Sequence, residues 1–280
     1  MTSCFCVYIC RKMDKGIKYS EHYMTQKAER FVNKIWVLDN SRNDQSVGEQ
    51  MILPNGCFNL AIITGGGVEV ITKNETHVLK EGIYLGSQMT EKVIANIEAH
   101  SKGIVIQLHA WTISLFPKLD FRNFKDIIIP FDLGLLELKY NLDSELWSDI
   151  NHIIDFTNKN FEDLNEQNPQ KTLTELMCLQ LVYHNEKISK KLEGIKYSNR
   201  ALQMEFKKYT GLTRKQYSKL IHLRKTVDFI SDAEGQNSSL TSIAHEREYF
   251  DQTHFVKTFK EIVKITPKKF DAQSYLLSLK

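Results

Sequence analysis

Two short stretches of this 280-residue chain carry polar side chains at a spacing suited to reading the edges of nucleic-acid bases. In the first, Asn199, Arg200 and Gln203 lie on one face at the start of a helical run. A guanidinium can bond bidentately to guanine and a carboxamide to adenine, each good pair being worth about 1–3 kcal/mol of discrimination. In the second, Gln252, Thr253, Val256 and Lys257 occupy the corresponding face, and His254 beside them is divided between groove contact and local structure. Phosphate neutralisation would fall as a group to Ser198, Lys207, Lys208, Arg214, Lys215, Lys260, Lys268 and Lys269. Taken alone, such faces are also what solvated helices look like, so their meaning depends on the elements that carry them.

Other chemistries fit less well. Cys4, Cys6 and Cys10 crowd the start of the chain, but they lack the CxxC spacing and a clear fourth ligand for a metal cluster. Cys57 and Cys178 are isolated, and five cysteines form no disulfide framework. His77, His100 and His109 are scattered with no His-x-His among them, which argues against a metal site. Gly65-Gly66-Gly67 is followed by no Lys-Ser/Thr and reads as a tight turn between strands, not a phosphate loop. Trp36, Trp111 and Phe116 could line a pocket but are read as core.

Hydrophobic residues at 42% and charged residues at 25% are ordinary globular composition, which excludes wholesale disorder. No apolar run nears the roughly 20 residues of a membrane span. The N-terminal segment has its basic residues, Arg11 and Lys12, after the apolar stretch, the wrong order for a secretory signal, so a cytoplasmic protein is expected. The pattern that makes sense begins near Ala28, which leaves Met13 as an alternative start to Met1.

Charge is unevenly distributed. The net charge is +3, yet residues 186–280 hold 19 basic against 11 acidic residues, a net of +8 that suits a polyanion-binding module. The hydrophobic period changes at the same place. Phe31–Asp39, Cys57–Thr64, Val68–Thr72, His77–Leu79, Gly82–Leu85, Val93–Ile97 and Gly103–His109 are short strand-like runs broken by turn residues, as in a sandwich or barrel. From Asp143 the period is helical, with a polar break at 165–170 after which Pro169 can open a further helix. The apolar stripes of residues 143–161 and 170–184 suit a dimer interface or packing on the sheet, with a slight lean to the former.

The last ninety-odd residues repeat one form. A short helix over 187–192, a Gly-containing turn, and a helix over 199–209 capped by Ser198 and stopped at Thr210-Gly211 make a helix-turn-helix. A long helix from Arg214 follows, with Arg224 on it read as a linking ion-pair residue. Then a short helix over 240–247, a turn at 248–250, and a helix over 252–262 capped by Asp251 repeat the unit, with Phe255, Phe259 and Ile262 matching Leu202, Phe206 and Tyr209.

These residues resemble the DNA-binding domain of AraC/XylS-type transcription regulators. The resemblance rests on Leu240-Thr241-Ser242-Ile243-Ala244, Tyr249-Phe250-Asp251-Gln252-Thr253-His254-Phe255, Phe259-Lys260 and Thr266-Pro267-Lys268-Lys269-Phe270. Ser198-x-Arg200-x-Leu202-x-x-x-Phe206 and Gly211-x-Thr213-x-Lys215-x-Tyr217 add to it. Leu53-Pro54-Asn55-Gly56-Cys57 and Tyr84-Leu85-Gly86-Ser87 are similar to the β-rich sensor region of one branch. Four positions depart from the pattern: Glu248 and Lys264 stand where glycine is usual, Met204 where arginine is, and Arg214 where proline is.

The resemblance implies an α+β chain. A cupin-like β-barrel or jelly-roll domain with helices would be followed by an all-α domain of two helix-turn-helix motifs joined by a linker helix. Expected boundaries are 1–142 for the sensor or dimerisation domain, with 1–27 expected to lack order, 143–168 for a helical connector, and 169–280 for the DNA-binding domain. The expected function is sequence-specific DNA binding in bacterial transcription control, more often activation, with neither catalysis nor a cofactor. Partners would be double-stranded DNA, RNA polymerase, a small-molecule effector and a second copy of the chain, with no membrane. Two rivals are a cupin-like metalloenzyme with a helical appendage, and a regulator-derived module that binds protein and not DNA.

Overall fold

A computed structural model of the chain describes residues 8–12, 16–232 and 238–276. The N-terminal half is two β-sheets. Strands β1 (Tyr8–Lys12), β2 (Lys18–His22), β3 (Val32–Asp39), β5 (Cys57–Thr64), β8 (Gly82–Gly86), β10 (Lys102–His109) and β11 (Ile128–Pro130) form the larger, in the order β1-β2-β3-β10-β5-β8-β11. Strands β4 (Val47–Ile52), β6 (Val68–Ile71), β7 (Thr76–Leu79), β9 (Val93–Ile97) and the C-terminal β12 (Tyr275–Leu276) form the smaller, in the order β12-β4-β9-β6-β7.

The central strands read as nearly continuous apolar runs because both of their faces are covered. Trp36 and Leu38 of β3 and Val105 of β10 pack between the sheets with Val68, Leu79 and Ile97. The alternate residues Ile35, Val37, Ile104 and Ile106 join Phe58 and Ile62 in the main core, which continues into the helical half. In register, Ile35 opposes Ile106 and Ile104 opposes Ile62.

The start of the chain corrects the expectation that order begins near Ala28. Strand β2 pairs with β3, Glu21 opposite Trp36, and Ile17, Tyr19, Glu21 and Met24 are buried. Alternating polar and apolar residues hid this strand, since its polar members are themselves paired inside. Met1 and Met13 lie outside the described residues, as do Cys4 and Cys6.

The helices are α1 (Ile150–Gln167), α2 (Leu173–Tyr183), α3 (Glu186–Glu193), α4 (Asn199–Thr210), α5 (Arg214–Ser231), α6 (Leu240–Glu246) and α7 (Gln252–Val263). Helix α2 opens at a Thr172 cap whose hydroxyl accepts the Glu175 N–H, not at Pro169. Of the apolar residues of α1 and α2, Ile153, Phe156, Phe161, Leu176 and Met177 are buried in the main core, whereas Leu181 and Val182 are half-buried and Tyr183 is exposed. Arg30 ties the two helices down, reaching Glu175 at 2.8 Å and the carbonyls of Asn168 and Gln170. Among the described residues, no helix is long and apolar enough to cross a membrane.

The two halves are joined by backbone as well as side chains. Phe121 N–H donates to the Lys208 carbonyl at 2.7 Å, and Lys92 N–H to the Ile262 carbonyl at 2.9 Å. Strand β12 lies parallel to β4, Tyr275 opposite Met51, so the end of the chain becomes an edge of the N-terminal sheet.

Candidate nucleic-acid interface

The first motif is α3, a turn, and α4. Asn185 caps α3, its side chain accepting from Lys187 and Ile188 N–H. Ser198 caps α4 by accepting the Ala201 N–H at 3.2 Å. Gly211 ends α4 at φ 74°, and a Cβ there would stand 2.5 Å from the Phe124 carbonyl, so the left-handed turn and the close approach both require glycine. Phe206 and Tyr209 are buried against the linker helix, Phe206 edge-on to Tyr217 at 5.7 Å.

This packing leaves Asn199, Arg200, Gln203, Met204 and Lys207 exposed. Arg200, Gln203, Met204 and Lys207 share one open groove of about 920 Å³ with Arg214 and Lys215 from the first turn of α5. Residues distant in sequence thus meet on one cationic face. Lys208 is placed elsewhere: its ammonium bonds the Tyr209 hydroxyl at 2.9 Å and its carbonyl faces Phe121.

The second motif is α6, a turn, and α7. Glu248 adopts φ 55° and Lys264, at the end of α7, φ 67°, so both non-glycine residues do occupy left-handed sites. Each costs about 1 kcal/mol relative to glycine. The turn is held by Tyr249, which is buried, stacks on His222 at 4.3 Å and bonds Thr226 through its hydroxyl at 3.1 Å. A ring nitrogen of His222 also contacts the Arg247 carbonyl. Asp251 caps α7 through the His254 N–H at 2.6 Å.

On α7, Gln252, Thr253, His254, Lys257 and Lys260 are exposed and Val256 is half-buried. The Gln252 side-chain oxygen accepts from the Thr241 hydroxyl at 2.9 Å, which orients the amide at the mouth of a groove shared with Lys268. His254 stands edge-on to Tyr249 at 5.7 Å, which accounts for the structural part of its role. Lys269 is exposed next to Lys268. Arg224 pairs with Asp228 at 3.0 Å on α5.

Two adjoining cavities lie away from these faces. One of about 110 Å³ between the sheets is lined by apolar side chains that include Trp36, Leu38, Leu79, Ile97 and Val105. The other, about 360 Å³, opens beside it between β2, β3 and α5 and is lined by Tyr19, Tyr23, Lys34, Trp36, Arg224 and Asp228. Trp36 thus lines both, whereas Trp111 is core, donating its indole N–H to the Arg30 carbonyl at 2.9 Å. Lys34 pairs with the buried Glu21, whose carboxylate also accepts the hydroxyls of Tyr19 at 2.6 Å and Tyr23 at 2.7 Å. Burial alone would raise the Glu21 carboxyl; the Lys34 ammonium and the two hydroxyls overcome it and hold the group below the usual carboxylate range. The signal of this cluster in the sequence is a lysine in the middle of the apolar run Phe31–Asp39. His77, His100 and His109 have separate neighbours, Glu75, Asp44 and Trp111, and burial pushes His109 down to about 4.

Two capped helices with open N-terminal faces, joined by one long helix, define a DNA-binding helix-turn-helix protein. Residues 193–273 match the family model described as a helix-turn-helix domain. That segment is the one whose motifs resemble those of AraC/XylS-type regulators.

Comparison with solved structures finds distant likenesses. ToxT from Vibrio cholerae O395 bound to (E)-4-(8-methylnaphthalen-1-yl)but-3-enoic acid is 12% identical, covering 80% of this chain and 95% of that one at TM-score 0.41. A 1.65 Å structure of ToxT from Vibrio cholerae is 11% identical over 80% of this chain and 96% of that one, at TM-score 0.40. KdgF from Halomonas sp. is 11% identical over 36% of this chain and 86% of that one, at TM-score 0.27. At these values the likenesses assign no role to any residue. No curated protein matches the chain.

Proposed function

We propose that this cytoplasmic regulator reads one specific DNA site with α4 and α7 in successive major grooves, and that its β-rich half senses a small apolar molecule. The observation that carries the first part is the pair of open helix N-termini, Asn199-Arg200-Gln203 and Gln252-Thr253-Val256-Lys257, on the two ends of one linker helix. N-terminal residues of such helices meet base edges, and the surrounding lysines and arginines neutralise phosphate. Grooves on one face recur about every 34 Å, so engaging both motifs fully requires a bent duplex or a light second contact. The two cavities beside Trp36 support the sensing part, with Tyr19 and Arg224 placing the polar cavity against the linker helix.

Activation, with RNA polymerase as a partner, is the expected mode, and a homodimer the expected assembly. A gel shift with genomic fragments at stated salt tests the reading. A retained complex should form with the full chain and be lost in Arg200→Ala plus Gln252→Ala. Protection of a single turn, with no second groove covered, opposes the tandem docking. Binding no stronger than to bulk competitor removes the reading and leaves a protein-interaction module.

A further inference from the structure

We propose that Met204 is a specificity-determining residue that reads the C5-methyl group of a thymine. This rests on the DNA-binding function above and names one feature of the site. A single exposed apolar side chain is ordinary on a folded surface, so the meaning of Met204 rests on what surrounds it. Met204 is 52% exposed on α4, one turn after Arg200 and directly after Gln203. The same helix buries Phe206, Tyr209 and Thr210, so its inner face is already filled and Met204 is not a core residue turned outward.

The groove that Met204 lines is cationic at its edges. Arg200, Lys207, Arg214 and Lys215 share the lining with Leu181 and the polar Gln203, Thr213 and Ser218. The one acidic residue of α4, Glu205, is half-buried and outside that lining. Four positive groups around the apolar Met204 and Leu181 suit a polyanion better than an apolar protein partner, which would leave those charges desolvated and unpaired. In the major groove, the base feature that an apolar side chain can recognise is the thymine methyl. The thioether chain is unbranched and flexible, so it can settle on a methyl whose depth varies with local groove shape.

The site preferred by the full-length protein is first selected from random duplexes at fixed salt. Each thymine in it is then replaced in turn by deoxyuracil, which removes the methyl and keeps the pairing edge. One position should lose about fourfold in affinity, the change that about 0.8 kcal/mol for one buried methyl converts to. Met204→Ala should lose a similar factor on the thymine site and be indifferent to deoxyuracil at that position. That coupling separates a methyl contact from a change of DNA shape, which both proteins would feel alike. Met204→Arg should move the preference at that position toward guanine. Selective binding with no deoxyuracil-sensitive position, or sensitivity unchanged in Met204→Ala, overturns the assignment while leaving DNA reading intact. Loss of all sequence preference in the unmodified protein overturns both.

Discussion

Glu91, in the turn before β9, pairs with Lys264, the residue that ends α7, so the N-terminal half holds the second helix-turn-helix at the far end of its second helix. Lys73 approaches the same carboxylate at 2.7 Å. Lys264 is also one of seven non-glycine residues at positive φ among the described residues, a site where a glycine would be unstrained. Lys264 thus combines that backbone strain with a bridge between the halves. The neighbouring Lys92 N–H to Ile262 carbonyl bond and the β12–β4 pairing run along the same junction.

Glu91→Gln should cost about 1 kcal/mol, because the lysines are half exposed and the pairs are screened. It should speed amide exchange at Lys92 and near the end of α7. Burial would raise the Glu91 carboxyl, but Lys264 and Lys73 overcome it and hold it below the usual range. Its contribution is therefore complete above the unfolded carboxylate pKa and is lost as pH falls through the lower folded value. Thermal unfolding from pH 7 down to pH 3 should show this slope in the native protein and a flatter one in Glu91→Gln.

Lys264→Gly removes the ion pair and relieves about 1 kcal/mol of backbone strain, so stability should change little. In a Glu91→Gln background the same substitution should stabilise, since only the strain remains to be relieved. Denaturant titration of the four proteins in the cycle measures this. A destabilising second step would show that Lys264 is held by something other than Glu91.

Lysines that neutralise phosphate should be separable from those that do not. Lys207→Ala, in the groove with Arg200, should lower the slope of log affinity against log salt by about 0.9. Lys208→Ala should leave that slope unchanged, because its ammonium lies on the Tyr209 ring at 4.5 Å and bonds its hydroxyl.

Lys34→Met should cost about 3 kcal/mol by leaving the Glu21 carboxylate buried without its cation. The loss should shrink as pH falls and the carboxyl takes up a proton. Chemical denaturation at pH 7 and pH 4 checks both the size and the direction. A cost equal at the two values would mean that the two tyrosine hydroxyls alone keep Glu21 ionised.

Local chemistry announced the helical third. Ser198 and Asp251 cap the helices that their types suggested, Gly211 ends α4, and Phe206, Phe255 and Phe259 are core. Capping and 3.6-residue periodicity act within a few residues, so a single sequence displays them. The change from strands to helices near residue 143 was legible for the same reason, although Ser144–Leu146 is a short 3-10 turn and α1 begins only at Ile150.

Long-range pairing decided the rest. Nothing near Tyr275 says that it will lie beside Met51, or near Lys264 that Glu91 will meet it, because those partners are more than 170 residues away. Strand β2 gains its place from β3, and the cavity walls come from β3, β10 and α5 together. Which lysines share a groove with Arg200 and which fold back on a tyrosine is likewise a matter of packing. The sequence by itself determined the kind of binding surface, since caps and periodicity are local. The tertiary structure alone decided which side chains share that surface and how the N-terminal half grips it, since these depend on contacts between segments distant along the chain.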